Sequence, residues 1–330
     1  EGDVYDPGQH EPMPLDQPTF LQARAQGCLL GQLTGDALGG LVEFHPSHEI
    51  LSAYPDGVRL LHDGGHWGTI AGQPTDDSEM ALILARSLVE QGTFNPEAVK
   101  ESYLYWLNSR PFDCGNTVAS GLRGHPKTDS QANGAMMRIS PLGIFGAGRN
   151  LRQVAEWAFQ DAAITHPNIV CRQANALYAM AIAGAIQNGT EPQLLYRHIL
   201  DWAGEMKVDP TLLSAIKNAQ DAPPDDFMNN MGWVLIAFQN ALYQLLHAPN
   251  LEEGVVDTIM RGGDTDTNAA ICGALLGAVY GVEAIPQQWR DAVLSCRPEA
   301  GRPGVNRPRP QCFWPVDAME LTDKLLALKG

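Results

Sequence analysis

The chain has 330 residues, 44% hydrophobic and 18% charged, with a formal net charge of −16. That apolar content supports a buried core and excludes global disorder, while an acidic balance with no Lys/Arg cluster excludes nucleic acid as a partner. No apolar run approaches the roughly 20 residues of a membrane span, and six cysteines without CxxC or Cys/His metal spacing read as thiols of a reducing, cytoplasmic compartment.

Residues 1–18 are polar and carry Pro7, Pro12, Pro14 and Pro18, the pattern of an extended tail; the sharper reading is an arm that docks on a partner protein. From Phe20 onward the apolar spacing is helical. Gln22 to Val42 is rich in Ala, Leu and Gly, and Asp77 to Gln91 has an acidic first turn and stops at Gly92. Asn95 caps a helix from Pro96 to Ser109, and Asn150 caps Leu151 to Ala163. Further helical patterns cover 168–188, 191–206, 210–220, 226–247, 251–261 and 267–280. Beyond Val282, six prolines from Pro286 to Pro315 prevent long helices until Ala318. Alternating strand patterns are scarce, and no repeat or linker interrupts the chain. The expectation is all-α: a single compact orthogonal helical bundle over 19–330, in which Gly/Ala-rich helices such as Ala174 to Ile186 and Ala269 to Val279 pack closely.

Three acidic blocks stand out. Thr75, Asp76 and Asp77 lead into a helix and supply hard oxygen ligands of the kind Mg²⁺ takes, although capping explains each residue equally well. Asp264, Asp266 and Thr267 repeat the arrangement behind Gly262 and Gly263; a phosphatase-type DxDxT reading fails because Asn268 stands where its Thr is needed. Asp36 and Glu43 are isolated carboxylates in an apolar stretch, seven residues apart and on one face if the helix is continuous, with a break at Gly39 and Gly40 as the alternative. Carboxylates converging without cations repel one another, whereas two divalent ions remove that cost and create a Lewis-acid site.

The blocks Gly35 to Glu43, Thr75 to Ser78 and Gly263 to Thr267 resemble the signatures of the ADP-ribosylglycohydrolase family, in the same order and at similar wide spacing. Asp113 to Thr117, Asn133 to Arg138 and Thr165 to Pro167 extend the resemblance over about 25–295. It implies an all-α fold with two Mg²⁺ ions (or Mn²⁺) at the bottom of a cleft. Thr75, Asp76, Asp77 and Asp266 would hold one ion; Asp264, Asp266 and Thr267 would hold the other. Glu43, Asp77 and Asp266 become the catalytic set, with Glu43 against the ribose. Gly115, Asn116, Ser130, Asn133, Gly134 and His166 fall where relatives line the diphosphate and ribose pocket; without the resemblance, His166 before Pro167 reads as a local hydrogen-bonding residue. Trp233 replaces a substrate-flanking Tyr, and Asp113 suits a guanidinium. The implied activity is hydrolysis of the N-glycosidic bond between ADP-ribose and a protein arginine, reversing mono-ADP-ribosylation. The rival readings are an immunity or regulatory protein that neutralises an ADP-ribosyltransferase through its N-terminal tail, and a binuclear-metal phosphohydrolase.

Overall fold

Thr19 starts the first helix: in the computed structural model, which describes residues 19–328, its Oγ1 accepts the Gln22 N–H and α1 (Phe20–Gly39) follows. The tail read at 1–18 lies outside the described residues. After α1 come α2 (Ser47–Ala53), α3 (Asp76–Gln91), α4 (Pro96–Asn108), α5 (Asn116–Leu122), α6 (Ser140–Phe145) and α7 (Leu151–Thr165). The rest comprises α8 (Ile169–Asn188), α9 (Pro192–Met206), α10 (Pro210–Asn218), α11 (Val234–His247), α12 (Leu251–Met260), α13 (Thr265–Tyr280), α14 (Gln287–Leu294) and α15 (Ala318–Ala327). No strand occurs among the described residues, only isolated bridges such as Ala132 with Trp233. The fold is all-α, as the periodicity requires. Asn95 and Asn150 cap α4 and α7 through their side chains.

The centre of the molecule is an antiparallel pair, α1 against α13. Gly27, Gly31, Gly35 and Gly39 recur every fourth residue and therefore share one face of α1. They meet Gly277, Gly273, Ala269 and Thr265 of α13 so closely that a Cβ built on them would lie 2.4, 2.2, 2.3 and 2.4 Å from the opposing carbonyl oxygens. Only glycine permits that approach, and Thr265 Oγ1 closes its end with a 2.7 Å hydrogen bond to Gly39 O. This glycine seam fixes the axial register of the two helices. The C-terminal end of α1 and the N-terminal end of α13 thereby come together at one end of the bundle.

Four expectations need correction. The helix read over 226–247 begins at Val234. Asp226 Oδ1 instead accepts the N–H groups of Met228 and Asn229, and Asn230 takes a left-handed φ of 55°. Gly232 O then accepts the Asn133 N–H while the Val234 N–H donates to Gln131 O, so the loop is drawn towards the 131–133 segment. The helix read from 267 begins at Thr265. The helix read from Gln22 to Val42 ends at Gly39 and tightens into a 3-10 turn over Gly40–Val42, so Asp36 and Glu43 share no continuous face. Finally, α8 is long and apolar enough by composition to cross a membrane, but its most apolar window is 83% buried within the protein, where it forms core.

Candidate functional site

The seam delivers the acidic residues to one place. Asp36 sits three residues before the end of α1, Asp266 in the first turn of α13, and Asp76 and Asp77 in the first turn of α3. Asp36, Asp77 and Asp266 bring carboxylate oxygens within 4.8 Å of one another; Glu43, Asp264 and Asp266 form a second such trio, sharing Asp266. Asp76 belongs to neither trio but is buried beside them.

Hydrogen-bond counting shows why this cluster suits cations. Thr75 Oγ1 lies 2.7 Å from Asp36 Oδ1, 3.0 Å from Asp266 Oδ2 and 3.3 Å from Asp77 Oδ1. One hydroxyl has one proton, so two of those contacts oppose oxygen to oxygen. Asp77 Oδ2 and Asp266 Oδ1 are buried with no hydrogen-bond partner at all. Burial pushes the Asp36 carboxyl up to about 6, against the N–H groups of Thr75 and Ser78 that hold it. Burial, then the charge of Asp264, pushes Glu43 up to about 9. Burial and neighbouring carboxylates likewise hold Asp76, Asp77 and Asp266 well above the usual range. Among the described residues, no Lys or Arg lines the cavity to offset them. The donors are all hard oxygens and two of them are orphaned, so these residues fit a site for divalent cations.

The cluster floors a cavity of ≈ 200 Å³ lined by Glu43, Asp76, Asp77, Asp264 and Thr267 together with Asp113, Gly115, Asn116, Asn133, Gly134 and His166. Thr75 and Asp266 are buried beneath it. Asn133 Nδ2 donates to Asp264 Oδ2 at 2.8 Å, and the 226–233 loop supplies Gly232 to the wall. Burial raises the Asp113 carboxyl. Two expected residues are not brought to the lining. Ser130 bonds to Thr117 Oγ1 at 2.8 Å behind the wall, and Trp233, 38% exposed, donates its Nε1–H to Gln131 Oε1 outside the cavity.

Sequence reasoning left several supporting residues unassigned. Asp36 holds Thr75 and its helix start; its signal was a lone carboxylate deep in an apolar helix. Trp67 donates its Nε1–H to Glu43 Oε2 at 2.6 Å and packs on Phe112. No local pattern marks this long-range contact. Behind His166 runs a buried network. Arg138 donates to Asp161 and to Thr165 Oγ1, Tyr103 donates to Asp161 Oδ1, and Thr165 Oγ1 lies 2.6 Å from His166 Nδ1. From the C-terminal segment, Arg309 pairs with Glu79 of α3 and donates to the carbonyls of Ser109 and Arg110, just ahead of Asp113.

Comparison with known proteins points to one family. The family model described as ADP-ribosylglycohydrolase matches residues 17–311. The chain is 30% identical to the ADP-ribosyl-[dinitrogen reductase] glycohydrolase of Rhodospirillum rubrum, over 81% of this chain and 88% of that one. It is 26% identical to the ADP-ribosylarginine hydrolase Tri1 of Pseudomonas putida strain GB-1, over 85% and 80% respectively. Among solved structures, an ADP-ribosylglycohydrolase-related protein complex superposes with a TM-score of 0.75 at 25% identity, covering 93% of this chain and 98% of the other.

Proposed function

The chain belongs to the ADP-ribosylglycohydrolase family, and from that premise we propose that it hydrolyses the N-glycosidic bond between ADP-ribose and a protein arginine, reversing mono-ADP-ribosylation with two Mg²⁺ ions. That it is an ADP-ribosyl hydrolase rests on the family; the acceptor and the metal are the finer part of the reading. The observation that carries it is the pair of carboxylate trios sharing Asp266 on the cavity floor.

Thr75, Asp76, Asp77 and Asp266 would hold one cation, and Asp264, Asp266 and Thr267 the other. When bound, the pair supplies charge neutralisation and Lewis acidity. An all-oxygen donor set favours Mg²⁺, with Mn²⁺ as the alternative, over the N/S-seeking metals. Trp67 Nε1–H occupies Glu43 Oε2, which leaves Oε1 as the oxygen to face the ribose and exchange a proton with water. Water oxygen bonds to C1″, the C–N bond breaks with its electron pair on the guanidine nitrogen, and that nitrogen takes a proton. Asp113, on the cavity wall, would pair with the guanidinium. Gly115, Asn116, Asn133, Gly134 and His166 would surround the rest of the ADP-ribose. The name of the Pseudomonas relative supports arginine as the acceptor. All six thiols are unpaired, which supports a reducing, cytoplasmic setting.

The test has three arms: arginine-ADP-ribosylated protein with the wild type plus Mg²⁺, with the wild type plus chelator, and with Asp266→Asn plus Mg²⁺. ADP-ribose is released in the first arm alone. Equal release in all three discards the metal reading, and release of phosphate in place of intact ADP-ribose replaces the glycosidase by a phosphohydrolase. Deleting residues 1–18 leaves catalysis intact; neutralisation of a transferase by contact through the tail is lost with it.

A further inference from the structure

We propose that Thr165 is a positioning residue that locks His166 in the tautomer carrying its proton on Nε2, so that the cavity wall presents a fixed, neutral hydrogen-bond donor to an acceptor oxygen of the ligand. The proposal rests on the function above only in naming that ligand ADP-ribose.

The assignment follows from donors and acceptors alone. A guanidinium only donates, so at 2.8 Å Arg138 Nη1–H occupies a lone pair of Thr165 Oγ1. Thr165 Oγ1 keeps a second lone pair, but accepting Nδ1–H there would strand its own buried proton, because the one acceptor among its side-chain contacts is His166 Nδ1, 2.6 Å away. A ring nitrogen that accepts carries no proton, and the neutral ring must carry its proton on the other nitrogen. Arg138 cannot turn away from this duty. Its Nε and Nη2 are held by Asp161 Oδ2 at 3.0 Å and Asp161 O at 2.8 Å, and Tyr103 fills the remaining carboxylate oxygen at 2.6 Å. Tyr103, Arg138, Asp161 and Thr165 are all fully buried, which shields these bonds from bulk solvent.

His166 Nε2 is buried and has no partner in the protein, yet the residue lines the cavity. Gly134 makes room for the ring: a Cβ there would stand 2.8 Å from Cε1 and 3.0 Å from Nε2. Burial, with Arg138 adding to it, lowers the His166 pKa to about 3, so the ring stays neutral at working pH. A donor held this way favours an oxygen with lone pairs and disfavours a ligand N–H at the same point.

The tautomer is read by ¹⁵N NMR of the full-length, histidine-labelled chain, with His166→Gln to assign the signal. The wild type shows a protonated-type shift at Nε2 and an unprotonated-type shift at Nδ1 from pH 5 to 8. Thr165→Val keeps the shape but removes the proton given to Nδ1, which admits the other tautomer; Thr165→Ser restores the wild-type pattern. Titration with free ADP-ribose shows about tenfold weaker binding by Thr165→Val, recovered by Thr165→Ser. Protonation of wild-type Nδ1, or a valine variant with unchanged ring shifts, overturns the proposal. The wild-type spectrum decides even where the valine variant does not fold. A wild type with the Nε2–H signature that binds no ADP-ribose removes the proposed function and leaves the tautomer assignment standing.

Discussion

Gly31→Ala probes the contact on which the site depends. The new methyl would sit 2.2 Å from Gly273 O and 2.9 Å from Gly273 C, against 3.4 Å or more for ordinary contact. The obstacle is backbone on both sides, so no rotamer change relieves it, and the helices must part by roughly 1 Å. In a helix free of such contacts the same substitution stabilises by about 1 kcal/mol; overpacking of this kind costs about 1–3 kcal/mol or more. We expect a net loss of about 1–2 kcal/mol, a melting temperature several degrees lower, and a further loss of divalent-metal affinity as Asp36 and Asp266 shift. Gly204→Ala is the control: Gly204 lies in α9 with nothing within 4 Å of its built Cβ, so it gains stability. Denaturant unfolding of both variants, with and without Mg²⁺, gives the comparison. A Gly31→Ala protein as stable as Gly204→Ala would refute the close seam.

The raised carboxyls set a pH dependence. With Glu43 near 9 and Asp36 near 6 in the folded state and both near 4 when unfolded, the folded state binds more protons between those limits. The stability these groups contribute in chelator is therefore full below about pH 4 and lost as pH rises through 6 and 9. Mg²⁺ flattens that slope, and melting curves at pH 5, 7 and 9 that show the same slope with and without Mg²⁺ would contradict it. Trp67→Phe keeps the packing on Phe112 but frees Glu43 Oε2, and kcat/KM falls about tenfold with an unchanged circular dichroism spectrum; full activity would mean Trp67 does not orient Glu43. Arg309→Met strands Glu79 without its cation at a 2%-exposed position and costs about 3–5 kcal/mol. Adding Glu79→Gln recovers much of that loss in urea denaturation, and strictly additive losses would argue against a coupled pair.

Much of this architecture is legible in the sequence because it is written locally. Asn95 and Asn150 begin their helices through side-chain bonds to N–H groups two or three residues on, and Gly92 stops α3. The 3.6-residue periodicity marks amphipathic helices such as α7 and α9, while the buried α1, α8 and α13 show themselves by apolar, Gly/Ala-rich composition. The helix start at Val234 was not legible. Residues 226–233 have helical apolar spacing, but their backbone is claimed by residues about a hundred positions earlier, through the Gly232 and Gln131 hydrogen bonds. The short helices α2, α5, α6 and α14 escape for a related reason: eight residues or fewer leave periodicity little to act on. In the site, the acidic blocks announce themselves by composition. Trp67, Arg309 and the Tyr103–Asp161–Arg138–Thr165 network do not, because each acts through a partner that only tertiary folding brings within reach.

The glycine seam also orders events during synthesis. Its last hydrogen bond joins residues 226 positions apart, Gly39 and Thr265, so loop closure on that scale precedes any reward from the contact. A ribosome must emit α1 and then some two hundred further residues while the bare glycine face waits for its complement. A chain released or cut before α13 therefore holds Asp36, Asp76 and Asp77 but no Asp266 to join them. On the proposed mechanism, products cut before α13 are catalytically silent, and competence arrives only with the last fifth of these 330 residues.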